Sequence, residues 1–297
     1  MTDTKPRLGY IGVGLMGGPM TARLLDAGYQ VTIWNRTAEK MAPLVAKGAV
    51  AADGPAGVAA EADIVMMCLT AAPAVDAVVF GPGGVAEAAD DTKILVDFSS
   101  MRPDLTREWA EKLRGQTGMG WVDAPVSGGV PGAEKGTLAI MGGGTQADYD
   151  RVAPVIEAVA SRFTLMGPNG AGQVTKLANQ IISGSMMMII AECVGFAKRA
   201  GVDAARIPEA LKGGFADSTL LQLLAPRFAA ETYEPKLGAL ETMIKDLDTI
   251  ADVARANNMP IPVTSQVLQV YRLLASKGLQ DEDITALTKI YSETPFG

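Results

Sequence analysis

Gly12-Val13-Gly14-Leu15-Met16-Gly17 carries three glycines at the spacing of a GxGxxG turn. An apolar run precedes it, a helix-compatible stretch follows, and the unit closes at Trp34. In that setting each glycine has its own reason. The first permits a tight turn, the second lets backbone approach a pyrophosphate, and the third lets helix and strand pack closely. The start of the helix adds free N–H groups and a partial positive charge. The turn therefore predicts a bound dinucleotide, with Leu15 and Met16 beside it. At the end of the second strand a carboxylate would select a ribose 2′-hydroxyl, but the chain reads Asn35-Arg36-Thr37. Arg36 can form charge-assisted bonds to a 2′-phosphate, and Asn35 and Thr37 can add neutral ones. NADP is the expected cofactor. NAD stays open, because a solvated Arg36 would accept either.

The segment Gly170-Ala-Gly-Gln-Val-Thr-Lys176-Leu-Ala-Asn179 is the second chemical cluster. Its glycines read as a loop that opens a helix, and the three-residue spacing puts Lys176 and Asn179 on one face. A partly buried lysine near the positive end of a helix gives up its proton more readily than one in water. That suits proton exchange near neutral pH, although a lone lysine by itself reads as a surface charge. The chain contains no histidine. Ser-His-Asp and Cys-His catalysis, a histidine base and most zinc centres are thereby excluded. Proton transfer falls to Lys, Tyr, Cys, Asp or Glu. Cys68 and Cys193 sit in apolar stretches without a CxxC partner. They read as buried thiols, and no disulfide or metal is expected.

At 297 residues, 48% hydrophobic and 20% charged, the chain can hold two domains with ordinary cores. A net charge of -7 without a basic run argues against nucleic acid and anionic membranes as partners. A small anion held by local cations remains compatible. The most apolar stretch, residues 178–197, is broken by Asn179, Gln180, Ser183, Ser185 and Glu192. It reads as too short and too polar to span a membrane. No signal peptide is visible, so the cytoplasm is the expected location. Met186, Met187 and Met188 read as core or subunit interface.

These groups need a frame. Apolar runs at residues 8–11, 30–34, 64–69, 94–98, 121–124, 138–141 and 163–166 read as strands. Helical stretches at 19–27 and 39–47 lie between the first of them, with Gly28 placed to end the former. Alternating strands and helices predict an α/β domain, a Rossmann-like doubly wound sheet. After a glycine-rich loop at 166–172 only helical patterns remain, at 173–200, 207–213, 220–230, 237–257, 263–277 and 285–291. The expected division is a dinucleotide-binding domain at 1–167 and an all-α substrate and dimerisation domain at 168–297.

Four stretches together resemble the β-hydroxyacid dehydrogenase family, which includes 3-hydroxyisobutyrate dehydrogenase, tartronate semialdehyde reductase and succinic semialdehyde or glyoxylate reductases. They are Gly9-Tyr-Ile-Gly-Val-Gly-Leu-Met-Gly-Gly-Pro-Met20, Asp123-Ala-Pro-Val-Ser-Gly-Gly129, the segment from Gly170 to Asn179, and Lys245-Asp246-Leu247. They follow the family's order and span nearly the whole chain. The resemblance implies interconversion of a small carboxylate-bearing hydroxy acid and its semialdehyde, with Lys176 as general acid and base. It implies that Ser127, Gly128 and Gly129 bind the substrate carboxylate. Asn179 would orient the substrate oxygen or carboxylate. Lys245 would touch cofactor and substrate, steadied by Asp246. Leu69 and Ser99 or Ser100 would line the cofactor, and a homodimer or homotetramer is implied.

Asp248 departs from the glycine that many members carry after the Lys-Asp-Leu triplet. It would either alter substrate preference or face solvent. Phe215, Asp217 and Ser218 are further pocket candidates without an assigned role. Two other readings share the dinucleotide turn. An imine reductase-like enzyme would usually lack a lysine at the position of Lys176. A non-catalytic NADP(H)-binding protein would not need the pairing of Lys176 and Asn179. A short-chain dehydrogenase would need Tyr-x-x-x-Lys, which the chain lacks.

Overall fold

The structure, a computed structural model, describes residues 5–291. The chain forms two compact units that meet between Lys176 and Leu177.

The first unit opens with β1 (Leu8–Ile11), α1 (Gly17–Asp26), β2 (Val31–Trp34), α2 (Ala42–Ala46), β3 (Val50–Ala51), α3 (Pro55–Glu61), β4 (Ile64–Met67), α4 (Ala72–Phe80), β5 (Ile94–Asp97), α5 (Pro103–Thr117) and β6 (Gly120–Asp123). The six strands are parallel, in the order β3-β2-β1-β4-β5-β6. Helices cover both faces, which is why the strands read as continuous apolar runs. Tyr10, Met66, Val96 and Val122 face one core, and Ile11, Val65, Leu95 and Trp121 the other. A proline in the first turn starts α3, α4 and α5, where its missing N–H has no helical partner anyway.

At Pro125 the chain leaves this sheet; proline has no N–H with which to extend a ladder. A second sheet follows, built from β7 (Val126–Ser127), α6 (Gly129–Lys135), β8 (Leu138–Gly142), α7 (Gln146–Ile156) and β9 (Ala160–Leu165). Its order is β7-β8-β9, with β7 antiparallel and β9 parallel to β8. The alternation of strands and helices had suggested one continuous sheet. The short strands β3 and β7 carry no periodic signal of their own.

The second unit is helical. α8 (Ala171–Arg199) enters it and is followed by α9 (Ile207–Leu211), α10 (Thr219–Ala230), α11 (Leu240–Ala256), α12 (Pro262–Ser276) and a 3-10 segment at Ile284–Ile290. α11 begins three residues later than its apolar pattern suggested, because the N–H groups of Leu237 and Gly238 bond the buried Asp283 carboxylate instead. Leu177, Met188, Ile190, Val194, Leu221, Phe228, Leu247 and Tyr271 belong to one core.

The expected boundary lay at 167/168. The units part nine residues later, since the first turn of α8 is bonded into the first unit. Among the described residues, α8 is the one helix long and apolar enough to cross a membrane by length and composition, against the sequence expectation. Half of its apolar window is buried within the protein, as befits a core helix. Both cysteines, expected to be buried, are half-buried at the residue level. The Cys68 sulfur is nevertheless desolvated, and burial pushes its thiol up to about 12.

Candidate active site

The strands around the dinucleotide turn end level. Ile11 pairs with Trp34 and with Met67, Met67 with Asp97, and Asp97 with Asp123. Residues just beyond these ends therefore share one edge: Gly12, Asn35, Cys68, Phe98 and Ala124. The strand order reverses direction at β1, and open α/β sheets bind ligands at that point, outside the carboxyl ends.

The three glycines of the turn are constrained differently. Gly12 has φ +90°, and a Cβ there would lie 2.5 Å from the Cys68 carbonyl oxygen. A Cβ on Gly17 would lie 2.0 Å from the Gly12 carbonyl oxygen. A Cβ on Gly14 would meet nothing within 4 Å. The fold itself thus requires glycine at 12 and 17, whereas at 14 only something from outside the chain would use the space. This pattern fits a pyrophosphate against Gly14 at the start of α1. Leu15 is 77% exposed beside it and Met16 is half-buried.

At the end of β2, Asn35 Nδ2 donates to the Thr37 carbonyl at 2.8 Å and shapes the turn that presents Arg36. Arg36 and Thr37 are exposed. At the end of β4 the Leu69 N–H donates to Ser99 Oγ (2.9 Å), and the Ser99 N–H donates to Asp97 Oδ1 (2.9 Å). Ser99 is thus buried and fully engaged, while Ser100 is half-buried. Of the two serines left open by the sequence, Ser99 holds the edge together and Ser100 presents the more accessible surface.

Ser127 ends β7, pairs with Ala139 and is half-buried. Gly128 and Gly129 follow with φ +131° and +60°, both exposed, at the start of α6. Two successive positive φ values explain both glycines.

Lys176 lies in the second turn of α8 and is half-buried. The helix start is held by Asp123, whose Oδ1 accepts the Gly170 N–H (2.8 Å) and whose Oδ2 accepts the Gln173 N–H (3.0 Å). The Gln173 side chain, 1% exposed, donates to the Ser99 carbonyl (2.8 Å) and accepts the Met101 N–H (3.0 Å). Burial raises the Asp123 carboxyl to about 6 and that of Asp97, in the next strand, to about 7. Hydrogen bonds to the ionised forms limit both shifts. Asp123 came into view only as the first residue of a motif and Gln173 as filler between Gly172 and Lys176. Neither had a signal of its own, because both act through bonds that span more than forty residues of chain.

In the second unit, Asn179 Nδ2 donates to Gln180 Oε1 (2.8 Å), and Gln180 Nε2 donates to Asp246 Oδ2 (2.7 Å). Asp246 Oδ1 lies 3.6 Å from Lys245 Nζ. Asp246 is 6% exposed whereas Lys245 is exposed. Sequence reasoning named Asn179, Lys245 and Asp246 as candidates and gave no role to the buried Gln180 that links Asn179 to Asp246. Asp248 pairs with Arg272 of α12 and lines a polar cleft of about 440 Å³ with Asp252, Arg255 and Gln269. Phe215 is fully exposed. Asp217 accepts bonds from the Gly213 N–H and Gln222 Nε2, and Ser218 caps α10 through the Leu221 N–H. Those two side chains close a loop. Among the described residues no cluster of His, Cys, Asp or Glu could hold a metal.

Residues 7–167 match the family described as the NAD binding domain of 6-phosphogluconate dehydrogenase, and residues 170–291 match NAD-binding of NADP-dependent 3-hydroxyisobutyrate dehydrogenase. The chain is 36% identical over 285 residues to 2-hydroxy-3-oxopropionate reductase of Escherichia coli, covering 95% of this chain and 96% of that one. It is 32% identical over 287 residues to 2-(hydroxymethyl)glutarate dehydrogenase of Eubacterium barkeri, covering 97% and 95%. Among solved structures it resembles the 3-hydroxyisobutyrate dehydrogenase of Salmonella typhimurium, with a TM-score of 0.86, 27% identity and coverage of 96% and 100%.

Proposed function

The chain belongs to the β-hydroxyacid dehydrogenase family and is an NAD(P)-dependent oxidoreductase, and from that premise we propose that it interconverts a small β-hydroxy acid and its semialdehyde, of the 3-hydroxyisobutyrate, tartronate semialdehyde or succinic semialdehyde/glyoxylate type, with NADP(H) preferred and Lys176 moving the proton. The observation that carries this reading is the tie between the carboxyl edge of the sheet and the first turn of α8, one turn ahead of Lys176.

A bound nicotinamide would supply or receive the hydride. The chain's own residues do the rest. In reduction the Lys176 ammonium stabilises the charge growing on the carbonyl oxygen and gives it a proton. In oxidation neutral Lys176 takes the hydroxyl proton. Ser127 and the N–H groups of Gly128 and Gly129 hold the carboxylate common to all these substrates. Asn179 orients the reacting oxygen or the carboxylate, fixed through Gln180. Lys245, steadied by Asp246, adds a cation for the anionic ligands. The pyrophosphate is assigned to Gly12, Gly14 and Gly17 with Leu15 and Met16, and the 2′-phosphate to Arg36 with Asn35 and Thr37. Leu69, Ser99 and Ser100 line the nicotinamide end. We assign the protein to the cytoplasm as a homo-oligomer.

The test is the initial rate of cofactor oxidation with NADPH and NADH side by side. The substrates are glyoxylate, three- and four-carbon semialdehydes and one cyclic imine. Turnover of a semialdehyde, faster with NADPH, is expected. Arg36→Asp should reverse the cofactor ratio. Turnover of the imine alone overturns the reading.

A further inference from the structure

Asp123 is a buried carboxylate with no cation paired to it among the described residues. Its charge is met by the main-chain N–H groups of Gly170 and Gln173, at the start of a helix that begins in another part of the sequence, and by the Asn169 side chain just ahead of that helix. It also leaves no room for side chains around it. A Cβ on Gly143 would lie 2.5 Å from its Oδ1, and one on Gly172 2.8 Å from its Oδ2. Gln173 then carries the connection onward to Ser99 and Met101, and Ser99 Oγ holds the Leu69 N–H. One unbroken chain of bonds thus joins the carboxyl ends of β4, β5 and β6 to the first turn of α8.

We propose that Asp123 and Gln173 are positioning residues for Lys176, clamping the start of α8 to the edge where the nicotinamide ring would lie. The proposal rests on Lys176 being the proton donor. A helix start frays readily unless its N–H groups are bonded, and the hydride and proton steps need the lysine at one fixed distance from the ring. An acceptor-only side chain is required at 123 because the groups facing it, the Gly170 and Gln173 N–H and the Asn169 amide, are donors. Asparagine would turn an N–H₂ toward one of them.

The charged groups around Asp123 are few. Asp97 faces it from β5, and Arg107 of α5 approaches Gly170. At the other end of β6, Asp148 of α7 is paired with Arg114. None of these neutralises it, in keeping with a carboxyl raised by burial to about 6.

A double-mutant cycle tests the clamp, with single-turnover oxidation of NADPH by the preferred semialdehyde as the readout. Asp123→Asn should lower the rate roughly 10–100-fold and change KM by less than about threefold. In a Lys176→Ala background the same substitution should have almost no further effect, because it acts through the absent lysine. Gln173→Met, which keeps the volume and removes both bonds to the 99–101 segment, should repeat the pattern and serves if Asp123→Asn does not fold. Full additivity in both backgrounds, or a wild-type rate in both single variants, overturns the clamp while Lys176 keeps its role. A wild-type rate in Lys176→Ala alone overturns the catalytic reading and the clamp with it.

Discussion

Lys176 and the two buried carboxylates carry the chemistry that can be tested residue by residue. Lys176→Ala should lower turnover at least ~100-fold, the usual share of a general acid, with NADPH binding retained. Stopped-flow hydride transfer and a binding titration separate the two, and normal turnover would remove Lys176 from the mechanism. Asp97 has one carboxylate oxygen, Oδ2, without a hydrogen-bond partner. Burial raises Asp97 to about 7 and Asp123 to about 6 from 3.8, so the fold takes up these protons before the unfolded chain does. Each carboxyl adds stability when protonated, fully below about pH 4. That contribution is lost as pH rises through 6 for Asp123 and 7 for Asp97. Asp97→Asn should therefore be more stable than wild type at pH 8 and lose that advantage by pH 4. Equal thermal shifts at both pH values would show that Asp97 does not titrate in this range. The apolar runs at 94–98 and 121–124 placed Asp97 and Asp123 on strands, but nothing local announced that burial would raise both carboxyls.

At the scale of elements, β1, the glycine turn and α1 were legible almost to the residue. Their signal is local: an apolar run, then three glycines with three separate steric demands. The helix starts at Gly17, two residues ahead of the expected start, because the turn itself supplies its first residue. Gly14→Ala discriminates fold from function here. A Cβ at 14 meets nothing in the chain, so the thermal midpoint should hold or rise slightly. NADP(H) affinity should fall at least ~10-fold by displacement of the pyrophosphate. Isothermal titration with unchanged affinity would contradict the assignment. The weaker elements were those defined by partners. β3 and β7 have two residues each and exist only because a neighbouring strand pairs with them.

For the whole molecule, α8 carries the open question. Ile182, Ile189 and Phe196 are 61%, 56% and 75% exposed and seven residues apart, which lines them up along one side of the helix. An exposed apolar stripe of this length is the surface that the proposed homo-oligomer would cover. Ile189→Lys with Phe196→Lys should shift the sedimentation coefficient to a smaller species. An unchanged profile would move the interface elsewhere.

The sequence by itself determined the dinucleotide turn, the lack of a cofactor-excluding carboxylate after β2, the order of the main strands and helices, and the absence of any histidine to move a proton. All of these depend on residue type and short-range spacing, which a linear chain displays directly. The tertiary structure alone decided that β7, β8 and β9 form their own sheet and that α8 starts inside the first unit. It also decided that Asp123, Gln173 and Gln180 hold the helix and lysine segments in place. Those outcomes rest on hydrogen bonds and steric contacts between residues far apart in sequence, whose partners are set only once the chain is folded.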